Sequence, residues 1–104
     1  MATYLTVRRT RGPAWNPAVP MRSQAQWAEH ATFMNGLAAE GFIVLGGPLG
    51  SGELRAGEEV LLVVASTSEE AVRNRFAADP WTGSGLLVIT RVEPWTVLLR
   101  SGPA

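Results

Sequence analysis

Residues 60–76 read VLLVVASTSEEAVRNRF, a stretch that contains a strand followed directly by a helix. Residues 60–64 are apolar and mostly β-branched, which is typical of a buried strand. Residues 66–68 are Ser-Thr-Ser and offer helix N-caps, and two glutamates follow in the first turn, where the helix dipole favours negative charge. The buried stripe of this helix is predicted to comprise Ala71, Val72, Phe76 and the alkyl part of Arg75.

A longer helix is predicted over residues 24–40, after a proline-rich loop at residues 10–22. Its apolar residues recur at helical spacing and are Trp27, Ala31, Met34 and Leu37 or Ala38. Ser23 and Gln26 resemble a capping box at the start of the helix, and Gly41 is expected to cap its end.

Three more strands complete the predicted fold. Residues 3–9 are β-branched and aromatic with rough alternation, and residues 42–45 form a short apolar run that ends at a Gly-Gly-Pro sequence. Residues 86–92 form the fourth predicted strand, which begins with an apolar run and is interrupted by Pro94, and residues 95–99 form a short terminal extension.

The order of elements is therefore strand, helix, strand, strand, helix, strand, in one domain that spans residues 1–104. This is the α+β ferredoxin-like order (βαββαβ), an antiparallel sheet with two helices on one face. An antiparallel sheet with one solvated face alternates apolar and polar residues, whereas residues 42–45, 60–64 and 86–89 are apolar throughout. We therefore expect a second copy to cover the other face in a two-fold homodimer.

The composition excludes several kinds of chemistry. The 104 residues include nine basic and nine acidic ones, and all nine basic residues are arginine. Without cysteine or lysine the chain has no thiolate nucleophile, no Schiff-base lysine and no Walker-type phosphate loop. Its one histidine cannot by itself build a multi-histidine zinc site, so we expect no metal.

The same counts limit the expected partners. Zero net charge gives no global field to attract nucleic acid or an anionic membrane surface. The apolar runs are far shorter than the ~20 residues that span a bilayer, and the first residues show no secretory signal. We therefore expect a cytoplasmic domain with neither nucleic acid nor a membrane as its partner.

Several short motifs, in their order and spacing, match a known family. They are GPAW at 12–15, MRSQ at 21–24, WAEH at 27–30, FM at 33–34, GFIVLGGPL at 41–49, ADPW at 78–81, GL at 85–86 and PW at 94–95. Together they cover nearly the whole chain, which resembles the YCII-related proteins of the dimeric α+β barrel superfamily.

This resemblance implies a ferredoxin-like fold whose sheets pair into a barrel, with a cleft between sheet and helices. It also implies a catalytic pair made of a histidine on the first helix and an aspartate before a proline, at the positions of His30 and Asp79. The wider superfamily includes cofactor-free monooxygenases, lactone isomerases and dehalogenating enzymes, and also regulatory ligand-binding domains.

Each member of this pair also has a structural interpretation. His30 can act as an acid or a base near neutral pH, but a lone histidine on a helix flank is often a packing residue. Asp79 can orient the imidazole and favour its protonated form. It can also cap a short helix that begins at Pro80, and the two roles are compatible.

The four tryptophans are candidates for an aromatic wall that binds a planar substrate. Trp27 and Trp81 are retained as substrate-binding candidates, and Trp15 as possible pocket lining. Trp95 is expected in the core or at the dimer interface, and a core position is the alternative for Trp27 as well.

Three more residues are candidates for substrate binding. Arg22 can hold a substrate carboxylate through paired hydrogen bonds, although a surface arginine needs no such role. Gly47 and Pro48 let the backbone turn after the second strand, and they can also border the cleft.

Two main functions from different classes remain open, and a pure dimerisation module is a third option. The first is a small cofactor-independent enzyme that uses His30 and Asp79 as an acid/base pair on a small cyclic or aromatic carbonyl or lactone compound, by isomerisation, elimination or hydrolysis. The second is a non-catalytic small-molecule-binding or stress-associated accessory domain in which both residues are structural. The separation of the two side chains and their access to a cavity discriminate between these functions.

Overall fold

The structure, a computed structural model, describes residues 2–102. Within that range the strands are β1 (Ala2–Arg11), β2 (Ile43–Pro48), β3 (Val60–Val64) and β4 (Leu87–Val97), and the α-helices are α1 (Trp27–Ala39), α2 (Glu69–Phe76) and the single-turn α3 (Pro80–Gly83). The strands form an antiparallel sheet in the order β2-β3-β1-β4. This is the predicted α+β ferredoxin-like arrangement, and β3 has the predicted bounds.

The main core lies between one face of the sheet and the helices α1 and α2. In the ladder between β1 and β3, Leu5 is opposite Val64 and Val7 is opposite Leu62, so these four side chains share one face. The buried residues of this core are Leu5, Val7, Leu37, Ile43, Leu62, Val64, Val72 and Phe76. Since Leu37 belongs to α1 and the last two to α2, both helices cover the same face of the sheet.

A second apolar cluster lies beneath the loop that precedes α1, and it holds α3 in place. Its buried residues are Trp15, Met21, Leu54, Trp81, Leu86 and Leu87. The loop is fastened to the chain after α3 by the Gly12 N–H, which donates to the Leu86 carbonyl at 2.8 Å. A side chain at Gly12 would overlap the Gly85 carbonyl, so this close approach requires glycine.

The helix α1 begins at Trp27 and not at residue 24, and the predicted capping box is wrong. Gln26 is the N-cap with φ 62°, and within residues 2–102 its side chain makes no capping hydrogen bond. The Gln24 side chain instead holds the preceding loop, where its Nε2 donates to the carbonyls of Asn16 at 2.7 Å and Val19 at 3.0 Å. At the other end, Gly41 follows the helix with φ 82°, in agreement with its predicted capping role.

Both edge strands pass through a proline. The sequence predicted that the second strand ends near residue 45 and that Pro94 interrupts the last one, but β2 includes Pro48 and β4 continues through Pro94 to Val97. Proline lacks the N–H that a central strand donates, but it is tolerated in an edge strand. The position of β2 and β4 at the sheet edges therefore explains why both strands are longer than predicted.

The sheet face opposite the helices carries large apolar side chains and is called the outer face below. Tyr4 is opposite Trp95, and Leu45 is opposite Val63. Leu45 is 65% exposed and Trp95 47% exposed, whereas Val63 is buried beneath its neighbours. Trp95 therefore lies on this face and not in the core.

The described helices are too short and too polar to cross a membrane.

Candidate active site

The side chains of His30 and Asp79 are in direct contact. His30 lies near the start of α1, and Asp79 is the N-cap of α3, which packs against α1. Nδ1 of His30 is 2.8 Å from Oδ1 of Asp79 and 3.0 Å from Oδ2. His30 is 8% exposed and Asp79 is 1% exposed, so the contact is buried. The fold thus brings together two residues that are far apart in the sequence.

Asp79 has further hydrogen-bond partners that fix its orientation. Its Oδ1 accepts the backbone N–H of Trp81 at 2.9 Å, which is the helix-capping bond expected before Pro80. Its Oδ2 accepts Nη1 of Arg9 at 2.7 Å, and Nη2 of Arg9 donates to Oγ1 of Thr82 at 2.7 Å. The capping and histidine-binding roles of Asp79 therefore coexist in one carboxylate.

This environment stabilises the ionised form of Asp79. Burial by itself raises the pKa of Asp79, but the hydrogen bonds from His30, Arg9 and the Trp81 N–H together outweigh it and hold the pKa below its usual range. Burial also lowers the pKa of Arg9, and its hydrogen bond to Asp79 and the charge of that carboxylate act in the opposite direction. The two side chains form a buried ion pair beside the imidazole.

An ionised Asp79 can only accept hydrogen bonds, so Nδ1 of His30 is the donor in this contact. In a neutral imidazole the proton then lies on Nδ1, and Nε2 carries the lone pair. Nε2 is therefore the ring nitrogen left to interact with a molecule in the neighbouring cavity. An imidazole in this state can accept a proton from a bound compound and return it.

Tryptophans surround the imidazole. The ring of His30 is stacked on Trp81, whose Nε1 donates to the Ala25 carbonyl at 2.7 Å. Trp27 is tilted against both rings, with centroids 5.9 Å from His30 and 5.6 Å from Trp81. Trp15 contacts Trp81 edge-on and is not among the residues that line the neighbouring cavity. Of the candidates for the aromatic wall, Trp27 and Trp81 thus lie against His30.

A cavity of about 250 Å³ opens beside the pair, between α1 and the strands β2 and β3. Among the residues singled out from the sequence, those that line it are Trp27, His30, Gly47, Pro48 and Trp81. Most of the remaining lining is apolar, and it includes Met21, Met34 and Leu62. Asp79 lies behind His30 and is not part of the lining.

Arg22 is not among the lining residues of this cavity. Its side chain is exposed, and its guanidinium carbon lies 5.6 Å from the ring centroid of Trp27. At this distance the arginine makes a cation–π contact with the tryptophan instead of entering the cavity. The structure therefore separates Arg22 from the other four predicted binding residues.

Arg9 is not among the predicted site residues, although it lines the cavity and binds Asp79. One signal for it exists in the sequence. Alternation along a strand places Arg9 on the same face as Leu5 and Val7, which are core residues. A cation on the buried face of a strand requires a buried partner, and Asp79 is that partner.

Within residues 2–102 no group of three or more His, Cys, Asp or Glu side chains is arranged to hold a metal ion. His30, next to a largely apolar cavity, can supply proton transfer.

The fold and this site are those of a small α+β domain with a buried histidine–aspartate contact at the edge of a cavity. The YCII-related domain matches residues 4–96, so the chain belongs to the YCII-related family. This confirms the family predicted from the sequence motifs.

One solved structure with a related fold is 5-chloro-2-hydroxyhydroquinone dehydrochlorinase from Burkholderia phenoliruptrix, in complex with 2,5-dihydroxybenzoquinone. The chain is 25% identical to it with a TM-score of 0.62, and the match covers 91% of this chain and 94% of that one. No curated protein has a significantly similar sequence.

Proposed function

We propose that the protein is a small cofactor-independent enzyme that moves a proton on a cyclic or aromatic hydroxy- or carbonyl compound, or on a lactone. The observation that carries this proposal is the contact of 2.8 Å between His30 and Asp79 at the edge of a cavity. The cavity of about 250 Å³ is smaller than the roughly 300–1,000 Å³ of drug-sized ligand sites, which suits a single-ring compound.

In this proposal His30 is the acid/base and Asp79 holds it in place. The hydrogen bond from Nδ1 to Asp79 leaves Nε2 to remove a proton from a carbon or hydroxyl group of the bound ring. If a leaving group departs with its electron pair from the neighbouring carbon, the result is an elimination. If His30 returns the proton to another atom of the ring, the result is an isomerisation.

The related dehydrochlorinase supports the elimination. Loss of hydrogen chloride from a hydroxylated ring needs a base that removes a proton, while chloride leaves with the bonding electrons. His30 can supply the base, and a largely apolar cavity limits the access of competing water. Among the proposed reactions we therefore favour elimination, with isomerisation and hydrolysis as alternatives.

A non-catalytic ligand-binding or stress-associated accessory domain is the second candidate. The observation that favours it is the number of structural tasks the same residues perform, since Asp79 caps α3 and binds Arg9, and His30 packs on Trp81. Such a network would also be found in a rigid domain that only binds a small molecule.

A compound panel distinguishes the two candidates. It contains 5-chloro-2-hydroxyhydroquinone, its chlorine-free counterpart, simple hydroxyquinones and small lactones, and each compound is assayed for a melting shift, chloride release and absorbance change. Turnover that is lost in His30→Gln while binding persists supports the enzyme. Binding without turnover of any bound compound supports the accessory domain and contradicts the enzyme.

We also propose that two copies pair through the outer face. Its exposed Leu45 and Trp95 form an apolar surface on one side of the sheet, and a two-fold contact would bury both. The cytoplasmic location expected from the composition stays a prediction.

A further inference from the structure

We propose that Arg9 is a positioning residue of this site. Its positive charge compensates the negative charge of Asp79 and thereby keeps the imidazole of His30 uncharged and able to act as a base at neutral pH. The inference rests on the proposed role of His30 as acid/base. It adds a third member, on β1, to a pair that lies on α1 and α3.

Arg9 is held in a fixed position by its burial and by two hydrogen bonds. Arg9 is fully buried, and its two Nη atoms bind Asp79 and Thr82, each at 2.7 Å. These two residues flank the start of α3, so the planar guanidinium fixes the capping carboxylate and the helix together. A buried arginine is costly unless its charge is compensated, and Asp79 compensates it.

The charges of Asp79 and Arg9 act in opposite directions on the protonation of His30. A buried carboxylate without a cation would favour the protonated imidazole, because opposite charges attract strongly away from water. With Arg9 present, the ion pair is neutral, and a proton on His30 would add an uncompensated positive charge. Arg9 therefore offsets the attraction that an unpaired Asp79 carboxylate would exert on a proton at His30.

The elements that pack against His30 contribute few other charges. The β2 and β3 residues that line the cavity, including Gly47, Pro48 and Leu62, are uncharged. The exposed Arg22, before α1, lies on the Trp27 ring, and the exposed Glu29 is in the first turn of α1 itself. Both are solvated, whereas Arg9 and Asp79 are buried, so the buried pair dominates the field at His30.

Burial of Arg9 also leaves one N–H donor without a partner, which an apolar side chain in the same place would avoid. Nε of Arg9 is buried and, within the described part of the chain, has no hydrogen-bond partner. A buried donor without a partner is unfavourable by about 1–3 kcal/mol. An arginine kept in this place in spite of that cost is consistent with a need for its charge.

The chain is well suited to a direct test, because it contains one histidine and one aspartate. The histidine ring protons in the NMR spectrum therefore all belong to His30, and the aspartate-type carboxyl carbon signal belongs to Asp79. The His30 signals are titrated in the resting protein, without substrate, in the wild type and in the variants Arg9→Met, Asp79→Asn and the double variant, and the Asp79 signal in the wild type and Arg9→Met.

The proposal predicts opposite shifts in the two single variants. In Arg9→Met the His30 titration midpoint moves to higher pH by at least about one unit, which is a tenfold change in proton affinity. In Asp79→Asn it moves to lower pH, because His30 then faces an uncompensated Arg9. The double variant returns close to the wild-type midpoint. Arg8→Met is the matched control, since Arg8 pairs with the partly exposed Glu59, and it leaves the midpoint unchanged.

Two results overturn the proposal. One is a His30 midpoint that does not move in a folded Arg9→Met protein. The other is a titration in which Asp79, and not His30, gains the proton as the pH is lowered. If Arg9→Met does not fold, the comparison between Asp79→Asn and the double variant decides, because equal midpoints there exclude an effect of Arg9.

The test is independent of the proposed function. A failure to find turnover leaves the titration result unchanged, and turnover together with an unshifted midpoint contradicts only the role of Arg9. Where turnover is found, Arg9→Met moves the acidic limb of its pH profile upward by the same amount as the NMR midpoint, whereas Arg9→Lys restores the profile by keeping the charge.

Discussion

The imidazole ring of His30 lies flat on the indole ring of Trp81, with centroids 4.0 Å apart and planes 7° from parallel. Asp79 holds the same imidazole at Nδ1, within hydrogen-bond distance. The ring is thus restrained by a stacking partner on one face and by a carboxylate at its edge. A side chain restrained in this way loses little further freedom when a ligand binds, which favours precise placement of Nε2.

The first prediction concerns how much Trp81 contributes to the free energy of unfolding. Trp81→Phe keeps an aromatic surface under His30 but removes the hydrogen bond to the Ala25 carbonyl, so we expect a loss of about 1 kcal/mol of unfolding free energy. Trp81→Ala also removes the ring and is expected to cost about 3–5 kcal/mol. Urea unfolding measures both. Trp15→Phe is the control, because the Nε1 of Trp15 is buried without a partner among the described residues. A larger loss for Trp15→Phe than for Trp81→Phe contradicts the prediction.

The second prediction concerns how Asp79 orients His30. Asp79→Asn keeps the size of the side chain but removes the carboxylate that selects the Nδ1–H tautomer, so turnover of a compound found for this protein should fall by roughly 10²–10⁴-fold. The KM of that compound should change little, because Asp79 does not line the cavity. Steady-state kinetics separate the two parameters, and an unchanged kcat speaks against the orienting role.

The third prediction concerns the pH dependence of stability. The pKa of Asp79 in the folded protein lies below the value of about 3.9 expected in the unfolded chain. The ionised carboxylate therefore stabilises the fold above that unfolded value, and this contribution is lost as the pH falls through the folded pKa. Urea unfolding between pH 5 and pH 2.5 should show a falling free energy in the wild type and a shallower fall in Asp79→Asn.

A second carboxylate has to be separated in that experiment. The side-chain hydroxyl and backbone N–H of Ser51, with the N–H of Arg55, donate to Glu58 and lower its pKa as well. The unfolding free energy of Glu58→Gln is therefore measured over the same pH range. Equal slopes for the wild type and Asp79→Asn would show that the acid sensitivity arises elsewhere.

The fourth prediction compares two adjacent glycines of β2. A methyl group at Gly46 would collide with the Leu62 side chain and lie 3.0 Å from the Leu61 carbonyl, so Gly46→Ala should cost about 1–3 kcal/mol. At Gly47 the described residues leave open space around such a methyl group, and Gly47→Ala should stay within about 0.5 kcal/mol of the wild type. Both substitutions have the same effect on backbone entropy, so their difference measures packing alone.

The fifth prediction concerns the outer face. If two copies pair there, sedimentation of the wild type at micromolar concentration gives a dimer, and Leu45→Glu gives a monomer because a charge would be buried in the contact. Thr32→Glu, at an exposed position of α1, is the matched control and should remain dimeric. A monomeric wild type excludes the proposed pairing.

Much of the fold follows from local patterns. Residues 60–64 form β3 as their apolar run predicts, and Gly41 ends α1 because a left-handed residue is needed there. The boundaries that were wrong depend on distant groups. The start of α1 depends on hydrogen bonds between Gln24 and two loop carbonyls, and the continuation of β4 through Pro94 depends on its place at a sheet edge.

The candidate site was predictable only in part, because its contacts also join residues that are distant in the sequence. The family resemblance pointed to His30 and Asp79, but the contact between them exists only once α1 and α3 pack together. Arg9 resembled its neighbour Arg8 in sequence, although one is buried against Asp79 and the other pairs with Glu59 near the surface. Strand alternation separates the two arginines, but the identity of the buried partner required the folded chain.

The prolines in the two edge strands have a consequence for the protein at high concentration. Pro48 in β2 and Pro94 in β4 each leave a gap in the row of N–H donors that an incoming strand would need. Fibril growth by strand addition is therefore hindered at both ends of the sheet, even though the strands themselves are rich in β-branched apolar residues. The protein should accordingly stay dispersed under conditions in which a sheet with open edges would polymerise.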